Sequence, residues 1–316
     1  MKIRILVPPE IEVPIKGYAG IELIAWQLAE ELHKHHEVEV YARLRDDAKT
    51  EIRVKSYPVS SDKFDLTIDF THEKHAVNHT KQDYIAVPFL TDNLSHVNDV
   101  FPTKAVRDGF ANKFHDVSNV IVYPGISEEP YVSYKDDGDE GYLLFLGRLS
   151  AIKRPHIVIM LSEMVKMPAV IAGHAGRFAM YPDASYPDMI RQLCREKNVR
   201  LVEDPSLQEK LSLISKCKCL VVPSDWSIIG SQESFGIVAV EALMMGKPVI
   251  VSSDGGLKEI VRDGEEGYVA SDLQEYIDAV NNINDGKINA GKCRERGMYF
   301  TSSRYAKELL ALTEQS

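Results

Sequence analysis

The chain has 316 residues, of which 44% are hydrophobic and 27% are charged, and its formal net charge is −10 at pH 7. This length predicts one large domain or two medium ones, and the composition excludes a disordered or fibrous protein. The acidic balance argues against nucleic acid as the main partner. No apolar run approaches the roughly 20 residues that cross a bilayer as a helix.

The beginning of the chain and its cysteines indicate a cellular compartment. Residues 1–7 lead straight into a strand pattern without a signal peptide. The four cysteines are too few and too scattered for a disulfide framework, and Cys217 and Cys219 have no second Cys or His pair close to them in the sequence. We therefore expect buried, reduced thiols and a cytoplasmic protein.

Short apolar, β-branched runs alternate with helical patterns along the chain, which is typical of parallel sheets covered by helices. In the first part, an apolar stripe predicts a helix over 20–33. Strands are predicted there at 3–7, 38–42, 66–70, 85–89 and 120–123. The polar, acidic segment 133–141 has no periodicity, and we predict that it is a linker.

A second alternating series follows the predicted linker. Its strands are predicted at 142–146, 169–172, 199–203, 219–223 and 248–252. Its helices are predicted at 155–167, 187–197, 207–217, 235–245 and 273–283, and a last helix at 302–312. The fold class is therefore predicted to be α/β, with two doubly wound, Rossmann-like domains that face each other across a cleft. In such sheets, ligands bind at the carboxyl ends of the strands.

Two carboxylates, Glu233 and Glu241, bracket a short apolar run. The run predicts a loop that turns into a buried helix near Phe235 and stops at Gly246. Unpaired backbone N–H groups give such a helix start a partial positive charge that suits a phosphate. Because carboxylates accept hydrogen bonds from vicinal hydroxyls, this arrangement predicts a clamp for a sugar diphosphonucleoside.

The first strand of the second series is followed by Gly147, Arg148 and Lys153. Two interpretations of these cations are open. They are a pair of solvated surface charges, or they neutralise a diphosphate leaving group, with Arg148 binding in bidentate fashion and Lys153 as a point charge. The anion-binding helix start near Gly236 favours the second interpretation.

Two glycine-bearing loops connect a predicted strand to a helix. In the segment 16–22, Gly17 and Gly20 allow the backbone to approach a ligand, but the segment fits neither the Walker A motif nor G-x-G-x-x-G. A plain tight turn is the alternative. The segment 252–259 carries two adjacent glycines, and it is either a simple turn or a loop that lines the nucleotide or sugar pocket.

Histidines follow the third predicted strand of the first domain. His72 and His75 are either structural or project toward the ligand, and His72 is favoured because it is nearer to the strand. A metal site is not expected, because the only D-x-D pair, Asp137 and Asp139, falls in the predicted linker. Three cations, Lys104, Arg107 and Lys113, are predicted on one helix and form either a solvated face or a weak contact with anionic lipid.

Several motifs of the second series occur together and in a fixed order. They are Gly147-Arg148…Lys153, Pro223-Ser224…Glu233-Ser-Phe-Gly…Glu241-Ala, Gly246-Lys-Pro-Val249, Gly255-Gly-Leu-Lys-Glu-Ile-Val261 and Asp263-Gly264…Gly267. This set resembles the family 4 glycosyltransferases, which are retaining enzymes of the two-Rossmann-domain (GT-B) type. The first two motifs look like the family's G-R-x4-K and Glu-x7-Glu signatures. The resemblance is specific over about 142–270.

The first domain carries a weaker part of the resemblance. Pro8-Pro9…Gly17-Tyr-Ala-Gly-Ile-Glu22 is similar to the family's P-P…Y-G-G-x-E loop, with Ala19 in place of the first paired glycine. The domain is also short for the family. Enzymes of this type cross their last helix back onto the first domain. The resemblance therefore implies an acceptor-side domain at 1–137, completed by a helix at 302–316, and a donor-binding domain at 138–301.

The resemblance also implies roles for individual residues. Glu233 would hold hydroxyls of the donor hexose and Glu241 those of the ribose, while His72 would lie near the reacting centre. Arg148 and Lys153 would bind the diphosphate. The backbone of the glycine loops and of the helix start would complete the donor site at Gly17, Gly20, Gly147, Ser234, Phe235, Gly236, Ile237 and Val238. The family requires neither a metal nor a cofactor.

The sequence therefore predicts a retaining hexosyltransferase that uses a nucleoside diphosphate sugar and an unidentified acceptor, which is a sugar, a lipid-linked sugar or a small molecule. Two alternatives remain open. One is a sugar-nucleotide epimerase on the same scaffold, which would need no acceptor. The other is a non-catalytic module that binds nucleotide sugars.

Overall fold

The computed structural model describes residues 1–9, 12–15, 20–60, 62–71, 83–89, 98–135, 140–175, 185–225 and 233–314. The chain divides into two compact units. The first contains both ends of the chain, Met1–Ser127 and Phe300–Ser316, and the second is Glu128–Tyr299. No helix in the described part of the chain is both long enough and apolar enough to cross a membrane.

The described strands and helices are numbered in chain order. The strands are β1 (Lys2–Leu6), β2 (Glu12–Val13), β3 (Glu37–Tyr41), β4 (Arg43–Leu44), β5 (Arg53–Lys55), β6 (Leu66–Asp69), β7 (Tyr84–Ala86), β8 (Tyr142–Leu146), β9 (Ala169–Gly173), β10 (Arg200–Glu203), β11 (Cys217–Val222), β12 (Val249–Ser252) and β13 (Gly267–Ala270). The helices are α1 (Ile21–His33), α2 (Lys104–Ala111), α3 (Glu129–Val132), α4 (Pro155–Val165), α5 (Tyr186–Glu196), α6 (Leu207–Lys216), α7 (Ile237–Met244), α8 (Leu257–Ile260), α9 (Leu273–Asn284), α10 (Ala290–Met298) and α11 (Ser302–Glu314).

The first unit is built on a parallel sheet with the order β5-β3-β1-β6-β7. Helix α1 buries the apolar stripe that contains Ile24, Leu28 and Leu32, and it packs against α11. The amide of Ser302 donates to the carbonyl of Ile126 at 2.9 Å, so the backbone at the start of α11 is paired with the end of the unit's first segment. The last helix therefore completes the first unit.

The second unit is built on a parallel sheet with the order β10-β9-β8-β11-β12-β13. The winding starts at β8, runs outward to β10, and then continues from β11 on the other side. This is the strand order of a doubly wound Rossmann-like sheet, whose topological switch point lies between β8 and β11. Helices α4, α5 and α9 contribute to a common core with the strands, in which Phe145, Ile171 and Val280 are buried.

The predicted α/β class with two doubly wound parallel sheets is confirmed. Strand β8 has the predicted bounds, and most other predicted elements differ by one to three residues at their ends. The predicted strand at 120–123 is wrong, because Ile121 forms only an isolated bridge with Phe101 among the described residues. Helix α2 ends at Ala111, so Lys113 does not belong to it.

The division between the units lies before the segment that was predicted as the linker. The second unit already begins at Glu128, and the first unit resumes at Phe300. Helix α3 follows this boundary directly, and its Tyr131 is buried and hydrogen-bonded to Glu241 of the second unit. An internal contact of this kind places α3 with the second sheet, although the sequence around it is polar.

Candidate functional site

The candidate site lies at the carboxyl edge of the second sheet, where β8 and β9 end. The amide of Gly147 donates to the carbonyl of Ala172 at 3.1 Å, and the amide of Leu149 donates to that of His174 at 2.9 Å. A Cβ at Gly173 would lie 1.7 Å from the carbonyl oxygen of Gly147. The backbone after β8 can therefore lie against β9 only because position 173 is glycine.

The loop after β8 forms a compact turn that presents Arg148 and Lys153. Its 3₁₀ turn spans Ala151–Lys153, and the amide of Lys153 donates to the carbonyl of Ser150 at 3.0 Å. The next residue, Arg154, has left-handed backbone angles (φ 53°, ψ 44°) and precedes the first turn of α4. The cations predicted at this strand end are therefore held on a tightly folded loop.

Lys153 forms an ion pair with Glu233, which lies eighty positions away in the sequence. The bond joins the lysine Nζ to the carboxylate Oε2, and the side chains are only 13% and 9% exposed. Glu233 follows β11, so the pair spans the switch point between β8 and β11, where doubly wound sheets bind their ligands. The structure thus brings together two residues that were predicted to contact different parts of one donor.

The loop after β12 fixes the backbone of Glu233. The amide of Glu233 donates to Asp254 Oδ2 at 3.1 Å, and its carbonyl accepts from the amide of Gly256 at 2.7 Å. Gly255 has a φ of +52°, and a Cβ there would lie 2.1 Å from the Glu233 carbonyl oxygen. The adjacent glycines of the predicted loop 252–259 therefore serve close packing against Glu233.

Helix α7 starts beside this pair. Gly236 has left-handed angles (φ 95°, ψ 58°) and redirects the chain into the helix, so Ser234 and Phe235 precede it while Ile237 and Val238 form its first turn. The first amides of a helix have no carbonyl partner within it and carry partial positive charge. The predicted helix start at Phe235 is therefore two residues early, and Ile237 and Val238 supply the first amides of the helix.

Glu241 lies one turn into α7 and is 2% exposed. Its Oε1 accepts hydrogen bonds from the Tyr131 hydroxyl and from Lys210 Nζ, both at 2.6 Å. Its Oε2 is buried and has no hydrogen-bond partner among the residues that the structure describes. One oxygen of this carboxylate is thus saturated, while the other still has its capacity to accept.

The remaining predicted residues lie elsewhere or outside the described residues. Gly20 is the residue before α1, in the first unit. Gly17, His72 and His75 lie outside the described residues, and so do Asp137 and Asp139. Within the described ranges, no group of three or more His, Cys, Asp or Glu residues is arranged to hold a metal ion.

The structure adds residues that sequence reasoning missed. Asp254 lies in the predicted pocket loop 252–259, but the prediction of that loop depended only on its two adjacent glycines. Arg154 pairs with Asp225, with an N–O distance of 3.1 Å, although the two are far apart in the chain. Tyr131 and Lys210 reach Glu241 from α3 and α6, and no spacing in the sequence signals that contact.

His156, at the start of α4, is a further titratable group in this region. Its Nδ1 lies 2.5 Å from the hydroxyl of Tyr186 on α5. Burial lowers the pKa of His156 below its usual value, and the nearby positive charge of Arg154 lowers that pKa further. The imidazole is therefore held in its neutral form near pH 7.

Comparison with solved structures supports the fold. AviGT4, a glycosyltransferase involved in avilamycin A biosynthesis, aligns over 99% of this chain and 97% of its own with a TM-score of 0.78 and 18% identity. HepE from Anabaena, in a complex with UDP-glucose, aligns over the whole of both chains with a TM-score of 0.71 and 16% identity. At these identities the likeness concerns the fold alone.

Sequence comparison finds relatives that match about half of the chain. The D-inositol 3-phosphate glycosyltransferase of Corynebacterium aurimucosum is 31% identical over 187 residues, covering 52% of this chain and 43% of the relative. An uncharacterized glycosyltransferase of Methanocaldococcus jannaschii is 31% identical over 172 residues, and the match covers 52% of this chain and 44% of the relative. The matched part thus spans less than half of these relatives.

The family model for glycosyl transferases group 1 matches residues 128–298, which is more than half of the chain. The chain therefore belongs to the glycosyl transferases group 1 family.

Proposed function

We propose that the protein is a retaining glycosyltransferase that moves a hexose from a nucleoside diphosphate sugar to an acceptor hydroxyl. The observation that carries this proposal is the meeting of Lys153 and Glu233 at the switch point of the second sheet, directly before the start of α7. A cation, a carboxylate and a helix start at one strand edge provide groups for a diphosphate and for sugar hydroxyls.

The proposed donor site assigns one role to each group. Arg148 and Lys153 bind the diphosphate, and the amides of Ile237 and Val238 add hydrogen bonds at the helix start. Glu233 accepts hydrogen bonds from hydroxyls of the hexose. Glu241 accepts hydrogen bonds from the hydroxyls of the ribose.

The chemical step that we propose rests on stabilising the leaving group. As the bond between the hexose and the diphosphate breaks, negative charge grows on the phosphate oxygen, and Arg148 and Lys153 stabilise that charge. The departing phosphate accepts the proton of the attacking acceptor hydroxyl. The cations replace a bound metal in this scheme, so we propose that activity is independent of divalent ions.

The comparisons support parts of this proposal. The family as a whole is described as glycosyl transferases, several relatives carry glycosyltransferase names, and one protein of the same fold has been solved with UDP-glucose. We propose that the acceptor is a sugar, a lipid-linked sugar or a small molecule.

We further propose a cytoplasmic location. In the first unit, Arg107 of α2 donates to Asp108 and Asn119, with distances of 2.5 and 2.8 Å. This pairing favours a solvated helix face over a lipid contact for that surface.

Donor turnover by the full chain tests the proposal. The protein is incubated with UDP-, GDP- and ADP-hexoses and an acceptor panel, with and without EDTA, and the products are followed by NMR. We expect transfer with one donor, retained anomeric configuration and no effect of EDTA. Arg148→Ala and Lys153→Ala should each lower the rate by about 10²–10³-fold. Unchanged turnover in both variants would contradict the proposal.

The same experiment separates the two alternatives. An epimerase would change the configuration of the donor sugar when no acceptor is present. A non-catalytic module would bind one donor tightly but release no nucleoside diphosphate with any acceptor. Either result would replace the transferase assignment.

A further inference from the structure

The surroundings of Glu241 are built asymmetrically. A phenol from α3 and an ammonium from α6 meet on the same carboxylate oxygen, Oε1, each at 2.6 Å. The Lys210 Nζ also lies 3.5 Å from the Tyr131 hydroxyl oxygen and 5.7 Å from the centre of its ring. Three elements that are distant in sequence therefore converge on one oxygen of one side chain.

The second oxygen of Glu241 needs an explanation. Its Oε2 is buried and accepts no hydrogen bond from any residue in the described ranges. Leaving a buried acceptor unsatisfied costs free energy, and such groups are rare in native proteins. A carboxylate that served only to stabilise the fold would be expected to have both oxygens satisfied.

We propose that Tyr131 and Lys210 are positioning residues that orient Glu241 so that its Oε2 accepts a hydrogen bond from a ribose hydroxyl of the donor. This inference rests on the proposed donor site and adds two residues to it. Lys210 places a positive charge beside Glu241 inside the unit, and Tyr131 fixes the rotation of the carboxylate by a second bond to the same oxygen.

The chemistry of the Tyr131 hydroxyl, which donates a hydrogen bond to Glu241, suits this positioning role. Burial raises the pKa of Tyr131 well above its usual value, and the charge of Glu241 raises it further, so the phenol remains a hydrogen-bond donor. A hydroxyl that reaches Oε2 must displace the atoms that now enclose it. It then supplies the hydrogen bond that the oxygen lacks, and bonds to a charged acceptor are stronger than bonds between neutral groups.

The test measures how strongly the protein distinguishes ribose from deoxyribose. Dissociation constants are determined by calorimetry for UDP, GDP and ADP and for their 2′-deoxy and 3′-deoxy counterparts. We expect the wild-type protein to bind one ribonucleotide about 10- to 100-fold more tightly than at least one deoxy form. Tyr131→Phe and Lys210→Met should reduce this ratio to less than about 3-fold by weakening the ribonucleotide alone, whereas Lys210→Arg should preserve most of it.

Matched variants separate positioning from general stability. Tyr142 is also a buried tyrosine of the second unit, and its hydroxyl donates to the Leu213 carbonyl at 2.8 Å. Lys216 is on α6 like Lys210 but pairs with the half-exposed Glu140. Tyr142→Phe and Lys216→Met should leave the ratio unchanged, because neither side chain contacts Glu241. Circular dichroism checks that each variant is folded. If Lys210→Met does not fold, the result for Tyr131→Phe decides the test.

The outcomes are distinguishable. If the wild-type protein binds none of the nucleotides, the proposed donor site fails and this inference fails with it. If the wild-type protein binds without distinguishing any deoxy form, Glu241 is not a ribose ligand and the inference alone is overturned. If Tyr131→Phe and Lys210→Met discriminate as the wild-type protein does, the two residues are structural, while the donor site stands.

Discussion

Lys153 and Glu233 form a largely buried ion pair that connects the loop after β8 to the segment before α7. Each residue comes from a different side of the switch point, and each is expected to contact a different part of the donor. A buried pair of this kind is worth little compared with an apolar contact, but the loss of one partner leaves an uncompensated charge. The pair therefore links the stability of the second unit to the groups of the proposed site.

The first prediction concerns this pair. Lys153→Met and Glu233→Gln should each destabilise the protein by about 2–4 kcal/mol, because each removes one charge of a largely buried ion pair. The double variant should recover about 1–3 kcal/mol of the summed loss, since the two positions are in direct contact. Urea unfolding of the four proteins measures this coupling.

An exposed lysine–glutamate pair provides the control for this double-mutant cycle. Lys197 and Glu163 lie 2.8 Å apart, but their side chains are 40% and 46% exposed. The cycle of Lys197→Met and Glu163→Gln should show no measurable coupling, because water screens such pairs. Equal coupling in the two cycles would mean that burial does not set the strength of the Lys153–Glu233 pair.

The second prediction concerns Gly255. Gly255→Ala should lower the free energy of unfolding by more than about 2 kcal/mol, because the alanine is forced into left-handed angles and its Cβ overlaps the Glu233 carbonyl. Gly286 is the control, since it has a φ of +74° and a Cβ there would meet no atom of the described residues within 4 Å. Gly286→Ala should cost only the conformational penalty of an alanine at left-handed angles, about 1–2 kcal/mol. A difference close to zero between the two, measured by urea unfolding, would contradict the packing argument.

The third prediction concerns the left-handed backbone of Arg154. Arg154→Gly should relieve about 1 kcal/mol of backbone strain while losing an Asp225 ion pair worth about 0.2–1 kcal/mol, so stability should change little. Arg154→Ala keeps the strain and loses the pair, so it should be the less stable variant. Thermal unfolding compares the two. Should alanine equal glycine at this position, the left-handed angles carry no cost.

The fourth prediction concerns pH. Because the pKa of His156 is lowered in the folded protein, the unfolded chain binds its proton more readily. The neutral imidazole therefore contributes to the free energy of unfolding. This contribution is complete above about pH 6.5, the usual pKa of a histidine in an unfolded chain, and it declines as the pH falls through the folded pKa. His156→Gln should therefore flatten the acid side of the profile of unfolding free energy against pH.

Tyr186→Phe tests the cause of that pH dependence. Burial is the largest cause of the lowered pKa, so removing the hydroxyl beside Nδ1 should leave most of the slope below about pH 6.5. If the slope disappears in Tyr186→Phe, the hydrogen bond and not burial controls the titration of His156.

Local pattern predicted five strands of the six-stranded second sheet but missed β13 at its edge. The run Tyr142–Leu146 is fully buried and apolar, and it forms β8 at the predicted residues. Sequence patterns did not predict elements that are short or that contain few apolar residues. Strand β5 is three residues long and includes two cations, and α10 contains two glycines and a majority of polar side chains. Tertiary contacts stabilise such elements, and a single sequence does not reveal those contacts.

The candidate site was predictable only as a set of residues at strand ends. Arg148, Lys153, Glu233 and Glu241 were identified from type and spacing, and the structure gathers all four in the second unit. That Lys153 would pair with Glu233, and that Tyr131 and Lys210 would share one oxygen of Glu241, depends on side-chain directions across different elements. Sequence spacing carries no information on such directions beyond one helix or strand.

The pairing of Ile126 with the backbone at the start of α11 bears on how the protein is synthesised. The first unit is interrupted by the second, and its last helix is translated only after residues 128–299 have been made. Domains generally fold as units while the chain emerges from the ribosome. The second unit is therefore synthesised before α11 can pack against α1. During translation, the face of α1 that α11 covers stays uncovered for the time that the ribosome needs to add the whole second unit.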